Sequence, residues 1–351
     1  MENISVLAIT KNGIEIGLKL KEFFPSWKIF APSKFSNNDS KINWFTESTT
    51  SKIGELFQTN DALICLFSLG AVIRLISSHL KDKKTDPAVI VIDDKTNFVI
   101  STLSGHLGGA NQLTNEIAKK IQATPVITTA ADVNKTIAVD LVGNEFGWKI
   151  DDDSTVTMVS ALMVNEENIG VFQEAGEKDW WKKEFPKNVT IYSSLDKLKE
   201  SNAKGFLIIS DKNLEDEILK NAVVYRPPTL VVGVGLHGDT SKDTIKDGIE
   251  TSFEKFNLSL KSIAKLVSIK KTQDVKGLIE LGEEIGVPVE YVEKEELAKI
   301  EIPNPSAMVQ AFEGTPSVSE AAALKVSQGT LIVEKQKFPP DLTIAVARIK
   351  N

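Results

Sequence analysis

The chain has 351 residues, 42% of them hydrophobic and 25% charged, and its 41 basic and 48 acidic side chains leave a formal net charge of -7. With glycine added, the apolar share comes near the roughly 45–50% of globular proteins, which excludes a wholly disordered chain. The acidic surplus is the reverse of what a nucleic-acid backbone or an anionic membrane surface attracts, so neither is expected as a partner.

At about 100–200 residues per domain, the length suggests two or three domains. One cysteine excludes an intrachain disulfide and any multi-cysteine metal site. Cys65 lies in the apolar run 61–67 and reads as a small core residue rather than a nucleophile. The first residues lack a basic segment followed by a long apolar one, and no stretch reaches the roughly 20 apolar residues of a membrane span. The expected location is the cytoplasm.

In chain order, Ile4 to Ile9 reads as a buried strand, Thr10 to Gly13 as a turn, and Ile14 to Phe24 as a helix stopped by Pro25. A weaker strand, Trp27 to Phe30, precedes a Ser/Thr/Asn-rich connection through Thr50. Helix Ile53 to Gln58, strand Ala62 to Phe67 and helix Val72 to Leu80 follow. Strand Ala88 to Ile92 turns at Asp93-Asp94 into strand Phe98 to Ile100. A glycine-rich loop then opens helix Asn111 to Ile121, and strand Pro125 to Thr128 closes the first unit, residues 1–129. Residues 130–226 are denser in charge. They read as a small central domain or insertion with strands near Gly170 to Gln173, Val189 to Tyr192 and Gly205 to Ile209. Arg226-Pro-Pro228 forms a stiff junction. In the third unit, residues 227–351, strand Thr229 to Val234 leads through a second glycine-rich turn into helix Ser241 to Phe256. Strand Ala264 to Ile269, helix Val275 to Ile285, strand Val287 to Val292, helix Ser319 to Val326 and strands Thr330 to Val333 and Leu342 to Ala347 complete it. The expected fold is α/β in three units.

The densest chemical signal is Ser101-Thr-Leu-Ser-Gly-His-Leu-Gly-Gly-Ala-Asn111. Gly105, Gly108 and Gly109 let backbone approach a ligand, and the helix start at Asn111 offers amide hydrogens to an anion. His106 can exchange a proton near neutral pH; a tight turn with a surface histidine is the plainer reading. The spacing matches neither a dinucleotide fingerprint nor a Walker loop. A second turn carries Gly233, Gly235, His237, Gly238 and Thr240. Its glycines fit dinucleotide spacing, yet the next strand ends in Lys270-Lys271 without the acidic residue a ribose needs. Capping by Thr240 or Ser241 explains it equally. His79 closes a helix, where a positive ring is stabilising. Arg74 follows a strand end and can clamp a carboxylate, or be an ordinary surface arginine. Thr128 and Asp132 follow another strand end. The run Asp151-Asp-Asp153 reads as a solvated helix start. No pair of residues has metal-ligand spacing.

Three strings resemble the cobalamin biosynthesis protein G family: Asp82 to Asp93, Leu103-Ser-Gly-His-Leu-Gly-Gly-Ala-Asn111, and Thr124-Pro-Val-Ile-Thr-Thr-Ala-Ala-Asp-Val-Asn134. The third unit is similar to the family's C-terminal domain through Val232-Gly-Val-Gly235 with Thr240, Pro316 to Leu324 and the closing strand. Leu236-His237 stand where the family usually has Cys-Arg, and Ser68-Leu-Gly-Ala-Val72 departs from a family turn. The resemblance implies a cobalt-precorrin-5A hydrolase of the anaerobic vitamin B12 pathway. Such an enzyme opens the δ-lactone of a cobalt-bearing tetrapyrrole and releases acetaldehyde. Cobalt would arrive with the substrate, so no cofactor is expected. His106 is the implied base, with amides around Gly108 and Gly109 on the oxyanion. Ser104, Gly105, Asn111, Arg74, Thr128, Asp132, Gly233, Gly235, His237 and Thr240 are candidate substrate contacts, and Lys83 and Lys84 candidate charges for its carboxylates. Neighbouring pathway enzymes are a further class of partner. A module that binds corrinoid intermediates without chemistry, and a nucleotide-binding enzyme, are the competing readings.

Overall fold

Alternation decides the first sheet. In the strand Ile4–Ala8 (β1), Val6 and Ala8 face one way and Leu7 the other, and all three are fully buried. Strands β2 (Lys28–Pro32), β3 (Ile42–Phe45), β4 (Ala62–Leu66) and β5 (Ala88–Ile92) join it in parallel. Helices Lys11–Phe23 and Ala110–Ile121 cover the Val6 face, and Thr49–Thr59 and Leu69–Ile76 cover the Leu7 face. A sheet covered on both faces needs continuous apolar strands, which is what β4 and β5 are. Cys65 is fully buried there, and burial pushes its thiol pKa up, as a core role requires.

The computed structural model describes residues 1–350, apart from the side chains at 308 and 312. The chain divides into two compact units, Met1–Leu141 and Val142–Asn351.

In the first unit the sheet order is β3-β2-β1-β4-β5-β6-β7, with β6 at Phe98–Leu103 and β7 at Thr124–Val126. A tight turn reverses β6. Asp93 Oδ1 accepts the Phe98 N–H at 2.6 Å, its carbonyl accepts the Thr96 N–H at 2.9 Å, and Thr96 takes φ +58°. β6 therefore runs antiparallel to β5, with Leu103 opposite Val89. Its carboxyl end emerges at the edge where β5 begins, opposite the carboxyl ends of β1 to β5.

In the second unit a central sheet has the order β10-β9-β11-β12-β8: β8 is Lys149–Ile150, β9 Ile169–Gln173, β10 Val189–Tyr192, β11 Gly205–Ile209 and β12 Ala222–Arg226. A further sheet has the order β15-β14-β13-β17-β16: β13 is Leu230–Leu236, β14 Ile263–Ile269, β15 Val289–Val292, β16 Thr330–Phe338 and β17 Leu342–Arg348.

Several elements differ from the sequence reading. Thr10 caps a helix that starts at Lys11, because its Oγ1 accepts the Gly13 N–H at 3.0 Å. β3 lies inside the stretch read as a connection, held by parallel pairing with β2 and by burial of Ile42 and Phe45. The helix Val156–Val164 and strands β8 and β12 went unread in the central region. The helix Ala307–Glu313 also went unread, and β16 continues to Phe338 across a bulge.

Arg226, read as part of a junction, is almost fully buried. It donates to the Ser210 carbonyl at 3.1 Å, to the Lys212 carbonyl, and to Asp151 Oδ2 at 2.6 Å. Asp151 is thus an ion-pair partner rather than a solvated helix start. Asp211, with no exposed surface, accepts a bidentate pair from Arg348 (2.7 and 2.6 Å) and the Thr229 hydroxyl at 2.9 Å. That pair ties the segment after β11 to the end of β17. Arg348→Ala would strand a buried carboxylate, a change that costs about 3–5 kcal/mol. The urea midpoint of the second unit should fall accordingly, with Arg348→Lys recovering only part, since lysine lacks the planar fork.

Candidate active site

The loop after β6 folds upon itself. Ser104 takes φ +54° and Gly109 φ +78°. The Ser104 hydroxyl donates to the Asp86 carbonyl at 2.8 Å, at the foot of β5. The Gly109, Ala110 and Asn111 amides donate to the carbonyls of His106, Ser104 and Gly105 at 2.8, 3.1 and 2.9 Å. These amides, expected to be free for an anion, are consumed by the turn. The Gly108 N–H has no acceptor among the described residues. A side chain at Gly108 would bring Cβ within 2.4 Å of the Ser104 Cβ, so the glycine there serves close packing of the loop.

The turn carries His106 into a carboxylate clamp. Its Nδ1 lies 3.1 Å from Asp140 Oδ1, and its Nε2 lies 3.1 Å from Asp132 Oδ2. Asn111, buried at the first turn of helix Ala110–Ile121, orients this cluster. Its Nδ2 donates to Asp132 Oδ2 at 2.7 Å and to Thr129 Oγ1 at 2.9 Å, while Ser101 Oγ donates to its Oδ1 at 2.6 Å. The hydrogen bond to Asp140 raises the His106 pKa above the ordinary histidine value against the opposing effect of burial, and Asp132 adds to the rise. With both ring nitrogens facing carboxylates, the imidazolium form satisfies every partner.

The sequence reading placed His106, Ser104, Gly105, Asn111 and Asp132 together, and the structure does the same. It missed Asp140. That residue sits in a short helical turn, Val139–Leu141, 34 positions from His106, and no local motif marks it. Thr128 is exposed, and its neighbour Thr129 makes the bond to Asn111. Arg74 is not part of this site. It follows the carboxyl end of β4, on the edge of the sheet away from the His106 loop, and donates to the Gly70 carbonyl at 2.9 Å. Five-residue strands separate the two edges by roughly 15 Å, at about 3.3 Å per residue. Lys83 and Lys84, in the turn before β5, share the edge with His106.

The second glycine-rich turn has a different character. Gly233 and Gly235 lie within β13, not in the loop. A Cβ on Gly233 would come 1.9 Å from the Ser319 carbonyl oxygen, so this glycine admits the helix Ser319–Ser327 onto the sheet and is closed to ligand. Gly235 lies against Thr343 but also lines a cavity. Thr240 is buried and its hydroxyl accepts the His237 N–H at 3.1 Å. Ser241 caps helix Lys242–Lys255. The His237 ring is 67% exposed and pairs with Asp341 at 3.2 Å. His79 packs its ring against Gly54 and Phe57.

A loop histidine held at both nitrogens by carboxylates, at the edge of an α/β sheet, has the geometry of a group that can exchange a proton. Residues 51–132 match the family described as Cobalamin synthesis G N-terminal, 137–227 the Cobalamin biosynthesis central region, and 230–347 the Cobalamin synthesis G C-terminus. The chain is 43% identical over 98% of its length, and 94% of the relative's, to "Cobalt-precorrin-5A hydrolase" of Priestia megaterium. It is 29% identical to the protein of the same name from Salmonella typhimurium, over 95% of this chain and 94% of that one. A "Probable cobalt-precorrin-5A hydrolase" of Methanocaldococcus jannaschii is 21% identical over 92% of this chain and 88% of that one. The chain belongs to the cobalamin synthesis G family.

The clamp has a direct readout. In a nuclear magnetic resonance titration the His106 ring should lose its proton above the ordinary histidine range. Asp140→Asn removes the largest cause of that rise and should bring the titration back down; an unmoved midpoint would contradict the assignment.

Proposed function

We propose that this chain is a cobalt-precorrin-5A hydrolase, opening the δ-lactone of a cobalt-bearing, ring-contracted tetrapyrrole and releasing acetaldehyde to give cobalt-precorrin-5B. The observation that carries the reading is the 43% identity over 98% of the chain to the Priestia megaterium protein of that name. The cobalt is part of the substrate, and the chain's own residues handle the protons. Among the described residues no helix is long and apolar enough to cross a membrane, which fits a chain that meets its substrate and neighbouring pathway enzymes in the cytoplasm.

The reaction has two proton demands. Water must lose a proton as its oxygen bonds to the lactone carbonyl carbon and the ring C–O bond breaks. The freed alcohol must then lose its own, so that its oxygen becomes the aldehyde carbonyl while the carbon–carbon bond gives its electron pair to the conjugated macrocycle. In this reading His106 takes both protons. Asp140 accepts Nδ1–H, fixing the tautomer that leaves Nε2 as the working nitrogen. Asp132 faces Nε2 and is the exposed member of the pair, so it is the partner that substrate and water displace. The Gly108 N–H is a loop amide available to the developing oxyanion. Lys83 and Lys84 bring positive charge to a substrate rich in carboxylates.

Because a base must be neutral to act, kcat/KM should rise with pH through a midpoint above the ordinary histidine value. Asp140→Asn should shift that limb to lower pH while lowering its plateau. Replacing His106 with Ala or Gln should cut acetaldehyde release from the lactone substrate by about 10²–10⁴. Full release by that variant, or a rate that falls over this pH range, would refute the assignment.

A further inference from the structure

The second compact unit holds a cavity of about 300 Å³ between the end of β13 and the hairpin of β16 and β17. Leu236, Val318, Phe338 and Leu342 make much of its surface apolar. Two lysines, Lys335 and Lys337, also line it. β16 is bulged between Val333 and Gln336, next to Lys335, and bulges re-aim side chains out of the regular alternation.

The acidic groups around the cavity are already engaged. Glu313 accepts from Lys271 Nζ at 3.2 Å, and Asp341 pairs with His237. Glu320, fully buried, accepts the Lys335 backbone N–H at 3.1 Å and Asn304 Nδ2 at 2.8 Å. Among the described residues, the Lys335 Nζ donates to a neutral acceptor, the Asn304 carbonyl. Lys337 is exposed and has no carboxylate partner among the described residues. Burial lowers the Lys335 pKa, and Lys337 pushes the same way by repulsion, while Glu320 opposes both. An apolar surface beside two lysine amines that have no carboxylate at ion-pair distance among the described residues suits a ligand that is flat, greasy and anionic.

We propose that this cavity binds one edge of a carboxylate-bearing tetrapyrrole, seating a pyrrole ring on Leu236, Val318 and Phe338 and its side-chain carboxylates on Lys335 and Lys337. The identity of the macrocycle rests on the function proposed above; the charge and shape of the cavity do not. Its volume is at the lower end of the ~300–1,000 Å³ of small-molecule pockets, enough for a single substituted ring with the rest of the macrocycle outside.

The test uses the full chain and uroporphyrin I, a flat macrocycle with acetate and propionate on each ring, titrated by calorimetry beside the monopyrrole porphobilinogen. The expected result is binding of uroporphyrin that weakens with salt. Affinity should drop at least about tenfold in Lys335→Met/Lys337→Met, the loss expected when charge-assisted hydrogen bonds are removed. The same variant should raise KM for the lactone substrate with kcat little changed. If the double variant melts early, exposed Lys337→Met alone carries the comparison. Unchanged uroporphyrin affinity in a folded variant would overturn the proposal, as would binding of porphobilinogen without binding of the macrocycle. A wild-type chain that releases no acetaldehyde would refute the function instead, and the uroporphyrin titration would still decide the cavity.

Discussion

The ion-paired imidazole of His106 is the constraint around which the first unit is organised. A histidine between two carboxylates has its charged form favoured, and holding it there takes three separate pieces of chain: the loop after β6, the segment after β7 that carries Asp132, and the turn that carries Asp140. Asn111 sits between them and spends its side-chain amide on the cluster. None of these groups can move alone without leaving a charged or polar partner unsatisfied, which is costly where the site is half-buried.

The direction of β6 determines which groups can join that cluster. In an all-parallel sheet the loop would emerge beside Ser68 and Arg74. The Asp93 turn instead sends β6 back antiparallel to β5, and the loop arrives at the foot of β5, near Asp86, Lys83 and Lys84. The glycines then let the loop close on itself so tightly that the Gly109, Ala110 and Asn111 amides are used internally.

In the second unit the same electrostatic logic serves cohesion. Asp211 with Arg348 ties the segment after β11 to β17, and Arg226 with Asp151 and two carbonyls ties β12 to the segment after β8; each pair would be expensive to break. The cavity beside β16 is the contrast. Among the described residues its two lysines have no carboxylate at ion-pair distance, unlike the paired charges of Asp211 and Arg226.

Much of this was legible in the residues. Continuous apolar runs marked β1, β4, β5 and β13 because a strand buried on both faces has no polar side to show, and the Ser-Gly-His-Leu-Gly-Gly string marked the loop because only small residues close so tight a turn. Where the strand was short, as for the four residues of β3 and the two of β8, local pattern carried no signal, since the pairing that makes those strands comes from elsewhere in the chain. β12 is a buried apolar run of the same kind as β4 and nevertheless went unread. Tertiary structure alone decided that Gly233 packs under a helix, that Arg74 faces away from His106, and that Asp140 completes the clamp. Each depends on which segments become neighbours in space, and a charge 34 residues away exerts no influence until the fold brings it to 3.1 Å.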